Sequence, residues 1–73
     1  MADHRDPTYR LTDIVGTSSD SIQQAVRNGV ARANETVRHI DWFEVKEIRG
    51  TVANGEVGQF QVTMKVGFRY ENS

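Results

Sequence analysis

The single tryptophan of this 73-residue chain, Trp42, stands next to Phe43 in the segment HIDWFEV (39–45). Successive side chains of a strand point to opposite faces of a sheet, so one of these two rings faces a core and the other faces away. We expect Phe43 to face the core and Trp42 to lie on the outer face, with Gln61 on the same face of a neighbouring strand. A flat ring with nearby amide groups suits a planar heteroaromatic ligand, held by stacking and by hydrogen bonds along its edge.

An outward tryptophan also has a simpler explanation. In a small oligomer it more often anchors a subunit interface, because tryptophan is enriched among the residues that dominate interface energetics. Gln61 alone would be an ordinary solvated strand residue. Pattern alone therefore favours an interface anchor, with the ligand platform as the alternative.

The segments before Trp42 predict a strand followed by a capped helix. YRLTDIV (9–15) is rich in β-branched and aromatic residues, as strands are. GTSSDS (16–21) then supplies a glycine turn and side chains that can accept hydrogen bonds from the first helical N–H groups. The candidate caps are Ser18, Ser19 and Asp20, the last with capping-box spacing to Gln23.

One apolar stripe predicts a helix of about five turns over 21–40. The middle of this stripe is small, with Ala25, Gly29 and Ala33. Glycine costs a helix about 1 kcal/mol relative to alanine, so its presence suggests close approach of a neighbouring backbone. The stripe consists of Ile22, Ala25, Val26, Gly29, Val30, Ala33, Val37 and Ile40.

The second half of the chain predicts a hairpin. Two β-rich segments, 41–52 and 57–70, flank an Asn54-Gly55 pair, which is a strong hairpin signal. The last strand alternates cleanly, whereas the middle strand slips in parity, which predicts a bulge near 46–49. The expected fold is α+β: a β-α-β-β chain whose three-stranded antiparallel sheet curls around one long helix.

Centring the hairpin on its turn predicts the strand register. Trp42 would pair with Gly67, and Gln61 with Ile48. Trp42 and Gln61 would then lie about six residues apart along the ladder, roughly 20 Å at 3.3 Å per residue. If both contact one small ligand, the site must form between subunits.

Size and composition favour a homo-oligomer. A single domain of 73 residues buries too little surface to be robust alone. The absence of cysteine excludes disulfides and cysteine-ligated zinc, and the two histidines, His4 and His39, lack metal-binding spacing. Oligomerisation is the remaining source of stability.

The net charge and the hydropathy of the chain limit the kinds of partner that it is expected to bind. The net charge of −1 leaves no strong footprint for nucleic acid or a membrane surface. We find no secretory signal in the polar start of the sequence and no apolar run of the ~20 residues that a membrane span needs. A soluble, cytoplasmic protein is expected, with a flexible arm over 1–8 and a single domain over 9–71.

Three segments, IVGTSSDS, RHIDWFEVKEIRG and GQFQVTMKVGFR, resemble the dodecin family in order and spacing over about residues 8–71. Dodecins are β-α-β-β proteins that assemble into hollow homododecamers. They bind flavins, in bacteria mainly FMN, and are thought to store or sequester them. The resemblance therefore implies a flavin-binding storage protein, with FMN preferred and riboflavin or FAD possible.

The resemblance also assigns residues. It implies that Trp42 stacks on the flavin ring and that Gln61 hydrogen-bonds the polar edge of that ring. Arg49, in EIRG, matches a position near the flavin in bacterial dodecins. The family pairs flavins between symmetry-related tryptophans, which agrees with a site between subunits.

Other functions are less well supported by the sequence. An enzyme would need a recognisable constellation, but the chain has no P-loop, no Gly-x-Ser-x-Gly elbow and no nucleophile–base pair, and nothing places Glu44 or Glu47 beside a substrate. An RNA-binding or adaptor sheet would show several exposed aromatics and a basic face. Coenzyme A, which some bacterial dodecins bind, is a further possible ligand that no residue here tests.

Overall fold

The computed structural model describes residues 6–70 and confirms the predicted α+β fold. Its elements are β1 (Tyr9–Ser18), α1 (Ile22–Asn34), β2 (Ile40–Ala53) and β3 (Glu56–Arg69). The strands form one antiparallel sheet in the order β1-β3-β2. Most of the arm predicted over 1–8, together with His4, lies outside the described residues. The described end of that arm is tied to the sheet, because Thr8 accepts a hydrogen bond of 3.1 Å from the backbone N–H of Tyr70.

The small core lies between α1 and the central strand, β3. Among residues 6–70, the fully buried apolar side chains are Ala25, Val62, Met64 and Val66. The last three alternate along β3 as predicted, so one face of this strand points at the helix. Ile14, Val26, Val30 and Phe60 pack around this cluster and are partly buried.

Two glycines set the distance between helix and sheet. A Cβ on Gly29 would lie 3.0 Å from the Cα of Gly16 and 3.0 Å from the terminal methyl of Met64. A Cβ on Gly16 would overlap the backbone carbonyl of Ala25. The close approach predicted from the small residues of α1 is therefore confirmed, and its partner is the backbone of β1.

The helix begins at Ile22, one residue later than it would if Asp20, the last of the three predicted caps, were its N-cap. Its N-cap is Ser21, whose hydroxyl accepts a hydrogen bond of 2.9 Å from the backbone N–H of Gln24. Ser18 instead closes the turn before the helix, accepting a hydrogen bond of 2.9 Å from the N–H of Asp20. The predicted capping box of Asp20 with Gln23 was therefore wrong by one position.

The helix is also shorter than predicted, since it ends at Asn34 rather than at residue 40. The N–H groups of Thr36 and Val37 both bond the carbonyl of Ala33 and close the last turn. His39 then takes a left-handed conformation, with a φ of 63°. The chain must reverse here to start β2, so Ile40, which continues the apolar stripe, becomes a strand residue opposite Phe68.

The hairpin and its bulge are confirmed, with a correction to the register. Asn54 and Gly55 form the turn with φ values of 53° and 77°, which suits the tight turns typical of hairpins. Trp42 pairs with Gly67 as predicted, but an irregularity between Val45 and Glu47 adds one residue to β2. A second irregularity, between Thr51 and Val52, shifts the register between the turn and this bulge, so Gln61 pairs with Arg49 rather than with Ile48.

The edge strand β2 is the least covered part of the sheet. None of its residues is buried, because α1 lies mainly over β1 and β3. Phe43 does face the helix side, as predicted, but it stays 49% exposed and Val45 stays 39% exposed. Within residues 6–70, no helix is long and apolar enough to cross a membrane.

Candidate functional site on the outer face of the sheet

The outer face, turned away from α1, carries Trp42 against Gly67 of the central strand. The two residues are paired across the ladder, and a Cβ on Gly67 would overlap the six-membered part of the indole. Because Gly67 has no side chain, the indole lies directly on the backbone of β3. Trp42 is 41% exposed, so it offers an aromatic surface to a partner.

A second aromatic side chain, Tyr9 of β1, flanks this tryptophan. The ring centroids of Tyr9 and Trp42 are 4.6 Å apart, and the ring planes are tilted by 58°. This distance is within the range of favourable aromatic pairs. Trp42 is thus fixed by residues from both other strands, Gly67 beneath it and Tyr9 at its side.

Charged groups surround the polar end of Tyr9. Its hydroxyl donates a hydrogen bond of 3.0 Å to Oδ2 of Asp41, and Nε of Arg69 lies 3.1 Å from the same oxygen. The Arg69 contact is an ion pair without hydrogen-bond alignment. The bond to Asp41, followed by desolvation and the charge of that carboxylate, raises the pKa of the Tyr9 phenol, and Arg69 partly opposes this. The phenol of Tyr9 thus directs its proton towards Asp41.

Arg49 and Gln61, two of the predicted site residues, meet at the other end of the outer face. Nε of Arg49 donates a hydrogen bond of 2.9 Å to Oε1 of Gln61. Nε2 of Gln61 in turn donates a hydrogen bond of 3.1 Å to Oε1 of Gln59. These two bonds orient the Gln61 amide and leave it one further N–H and one further lone pair, since an amide can make four hydrogen bonds.

The structure does not bring Trp42 and Gln61 together within one subunit. Trp42 pairs with Gly67 of β3, which is six residues from Gln61 on the same strand, or roughly 20 Å. Polar side chains fill the space between them, including the ion pair of 3.0 Å between Lys65 and Asp13. The outer face is an open surface, and each end of it supplies half of a candidate site.

Sequence reasoning missed Tyr9, Asp41 and Gln59. It predicted that Gly67 pairs with Trp42 but gave this glycine no role in the site. A glycine inside a strand often marks a close approach, so Gly67 could have been identified as a glycine in the interior of the last strand. Tyr9 had no such signal, because its contact with Trp42 depends on β1 pairing with β3 rather than with β2.

A groove on the other side of the sheet is apolar. It lies between the flank of α1 and β2 and encloses about 790 Å³. Its lining combines side chains of the helix with Phe43 from the edge strand. Nothing in the described part of the chain groups three His, Asp or Glu side chains as a metal site would require.

Comparisons of the sequence with known proteins identify one family. A family model described as Dodecin matches residues 8–71. The dodecin of Thermus thermophilus is 48% identical over 65 residues, which are 89% of this chain and 94% of that protein.

Solved structures with the same fold carry the same family name. A dodecin from Streptomyces davaonensis superposes with a TM-score of 0.88 at 55% identity, covering 90% of this chain and 97% of its own. A dodecin from Streptomyces coelicolor gives a TM-score of 0.88 at 53% identity, covering 93% and 97% of the two chains. With its sequence and its fold in agreement, this chain belongs to the dodecin family.

Proposed function

We propose that this protein binds a flavin, FMN in the first place, and stores or sequesters it without turnover. The observation that carries the proposal is the exposed indole of Trp42, which lies on the backbone of Gly67. A planar isoalloxazine ring fits such a surface because no Cβ at position 67 lifts the indole away from the sheet. Riboflavin and FAD carry the same ring and remain alternative ligands.

The second support is the oriented amide of Gln61. The pyrimidine edge of a flavin alternates donors and acceptors, and the free N–H and lone pair of Gln61 match one of each. Arg49 holds the amide from one side and adds a positive charge near the electron-rich carbonyl groups of the ring. An apolar ligand would have no use for these groups.

The third support is the distance between the two halves of the site. Because Trp42 and Gln61 lie too far apart to hold one ring in a single subunit, the proposed site forms where subunits meet. Large apolar side chains left exposed across the sheet and the helix flank suit this assembly; they include Leu11, Val15, Ile22, Phe43, Ile48, Val52 and Val57. By analogy with the family, the proposed assembly is a homododecamer.

Storage is favoured over catalysis by the geometry of stacking. A flavin held between tryptophans of two subunits has no open face to exchange hydride with a substrate. Rapid electron transfer from the indole would also quench the excited ring. We place this storage protein in the cytoplasm, in keeping with a chain that has no cysteine.

The test is to purify the protein, record its absorption spectrum and identify the released ligand by chromatography. We expect a flavin spectrum with strongly quenched fluorescence and sedimentation as one dodecameric species. Release of coenzyme A, of RNA or of no ligand would contradict the proposal in its present form.

Two substitutions of Trp42 separate stacking from quenching. Trp42→Ala removes the stacked ring and should weaken flavin binding by about 0.5–1.5 kcal/mol beyond the loss of buried area, with quenching lost as well. Trp42→Phe is the matched control, because it keeps an aromatic ring that is a poorer electron donor. It should retain most of the affinity and lose most of the quenching. If Trp42→Ala changes neither titration affinity nor fluorescence, the tryptophan is not the flavin platform.

A further inference from the structure

The contact between Tyr9 and Trp42 has a consequence for redox chemistry. The ring centroids are 4.6 Å apart, which is direct contact, so an electron can pass between the rings without intervening groups. The chain contains one tryptophan, two tyrosines and no cysteine. Tyr9 is therefore the oxidisable side chain that touches the indole.

The hydroxyl of Tyr9 is equipped for proton transfer. A phenol is readily oxidised only when its proton can leave together with the electron. Asp41 accepts the hydrogen bond of this phenol at 3.0 Å, and a carboxylate can take up the proton. Arg69, 3.1 Å from the same carboxylate oxygen, helps to hold Asp41 in place.

We propose that Tyr9, with Asp41 as its proton acceptor, returns an electron to Trp42 after Trp42 has been oxidised. In this step the radical cation of Trp42 takes one electron from Tyr9, and the phenol proton moves to Asp41. The products are neutral Trp42, a neutral tyrosyl radical and a protonated Asp41, so charge and electrons balance. A one-electron reductant in solution, such as ascorbate, then restores Tyr9, and Asp41 returns the proton.

The oxidant is any one-electron acceptor that reaches the indole. A photoexcited flavin is the physiological case, and in that respect the inference rests on the proposed function. A diffusing radical produces the same oxidised Trp42 without a ligand. Tyr9 and Asp41 would in both cases repair the stacking residue before its ring is permanently modified.

The other tyrosine provides a matched control. Tyr70 is exposed and lies near the guanidinium of Arg10, 5.7 Å from its ring centroid. The aromatic contact of Trp42 is with Tyr9. Tyr9→Phe and Tyr70→Phe thus make the same chemical change, the loss of a phenol hydroxyl, in two different environments.

The experiment is pulse radiolysis of the full chain, in the assembly that it forms, after any bound ligand has been removed. Azide radicals oxidise the indole, and transient absorption then follows the tryptophan radical and the tyrosyl radical separately. We expect a fast conversion of one into the other at a rate independent of protein concentration and slowed in deuterium oxide. Tyr9→Phe should lose this fast phase, Asp41→Asn should slow it, and Tyr70→Phe should behave as the wild type.

Contrary outcomes are equally clear. A fast phase that persists in Tyr9→Phe, or one that disappears in Tyr70→Phe, overturns the role of Tyr9. An unchanged rate in Asp41→Asn together with no isotope effect in the wild type overturns the role of Asp41. If Asp41→Asn fails to assemble, the isotope effect in the wild type decides alone. Because no flavin is present, a failure of flavin binding leaves this result intact, and the two proposals can fail separately.

Discussion

The inner and outer faces of the sheet both depend on a glycine, but for opposite reasons. On the inner face, Gly16 of β1 lets the backbone of α1 approach until a Cβ would overlap the carbonyl of Ala25. On the outer face, Gly67 of β3 admits an aromatic side chain, and a Cβ there would overlap the Trp42 ring. Gly16 allows the main chain of the helix to pack against β1, and Gly67 allows the side chain of Trp42 to pack against β3.

This difference predicts different consequences of the same substitution. A main-chain clash cannot be relieved without moving the helix, whereas a side-chain clash is relieved by rotating the ring. Changes on the inner face should therefore reduce the free energy of unfolding. Changes on the outer face should leave the fold in place and reduce ligand binding.

The largest effect is expected from Gly16→Ala. The added Cβ collides with the backbone of Ala25 and crowds Met64, so the free energy of unfolding should fall by about 3 kcal/mol, the upper end of the range for overpacked cores. Urea unfolding monitored by circular dichroism measures this loss. A variant as stable as the wild type would show that the helix does not rest on β1 as closely as described.

Gln61→Leu tests the polar end of the outer face. The leucine has similar bulk but no amide, so flavin edge atoms would be left unpaired at a cost of about 1–3 kcal/mol in binding free energy. Assembly should be retained, because Gln61 lies outside the core. Titration with flavin and sedimentation measure the two quantities. Loss of assembly with unaltered affinity would reverse the comparison between the faces.

Mixed oligomers sharpen the same test. Subunits with Trp42→Ala and subunits with Gln61→Leu, unfolded together and refolded, should form some interfaces in which native Trp42 meets native Gln61. Such mixtures should bind more flavin than either variant alone. If mixing restores no binding, the two residues do not share a site between subunits.

Gly67→Ala is the matched counterpart of Gly16→Ala. The new methyl group displaces the indole from the sheet, and the misplaced ring should lose about 0.5–1.5 kcal/mol of stacking. The urea midpoint should change far less than in Gly16→Ala. Equal losses of stability in the two alanine variants would remove the distinction between main-chain and side-chain clashes.

The smallest effect is expected from Tyr9→Phe at alkaline pH. Because the folded state raises the phenol pKa, the stabilising bond to Asp41 is fully present below the ordinary value of about 10 and is lost as the pH rises through the folded-state value. The wild type should therefore lose slightly more stability than Tyr9→Phe across that range. The difference between their urea midpoints, measured at neutral and at alkaline pH, gives this contribution. If the difference is the same at both pH values, the hydrogen bond does not contribute to stability.

The fold was largely predictable because its signals are local. Asn54-Gly55 determines the hairpin, the small residues of α1 indicate the tight helix contact, and the slip in parity of the middle strand indicates the bulge. The end of the helix was not predictable in this way. The apolar spacing continues through Val37 and Ile40, and only the need to reverse the chain at His39 makes those residues part of a turn and a strand.

The candidate site was predictable only in part, because its contacts cross strands that are distant in sequence. Trp42 and Gln61 were placed on the outer face from strand periodicity alone. The pairing of Gln61 with Arg49 required the register shift between Thr51 and Val52. The contact of Tyr9 with Trp42 required the strand order β1-β3-β2. The role of each residue towards a ligand stays a prediction.

The central strand is the last of the three to be synthesised. Because β3 supplies Val62, Met64 and Val66, the buried cluster cannot form until nearly the whole described chain has left the ribosome. Tyr9 and Arg69 pair across most of the sequence, and contacts of such long range slow folding. A nascent chain that stops before Met64 would carry β1, α1, β2 and only part of β3, without two of the four fully buried apolar side chains, so quality control should recognise truncated products as unfolded.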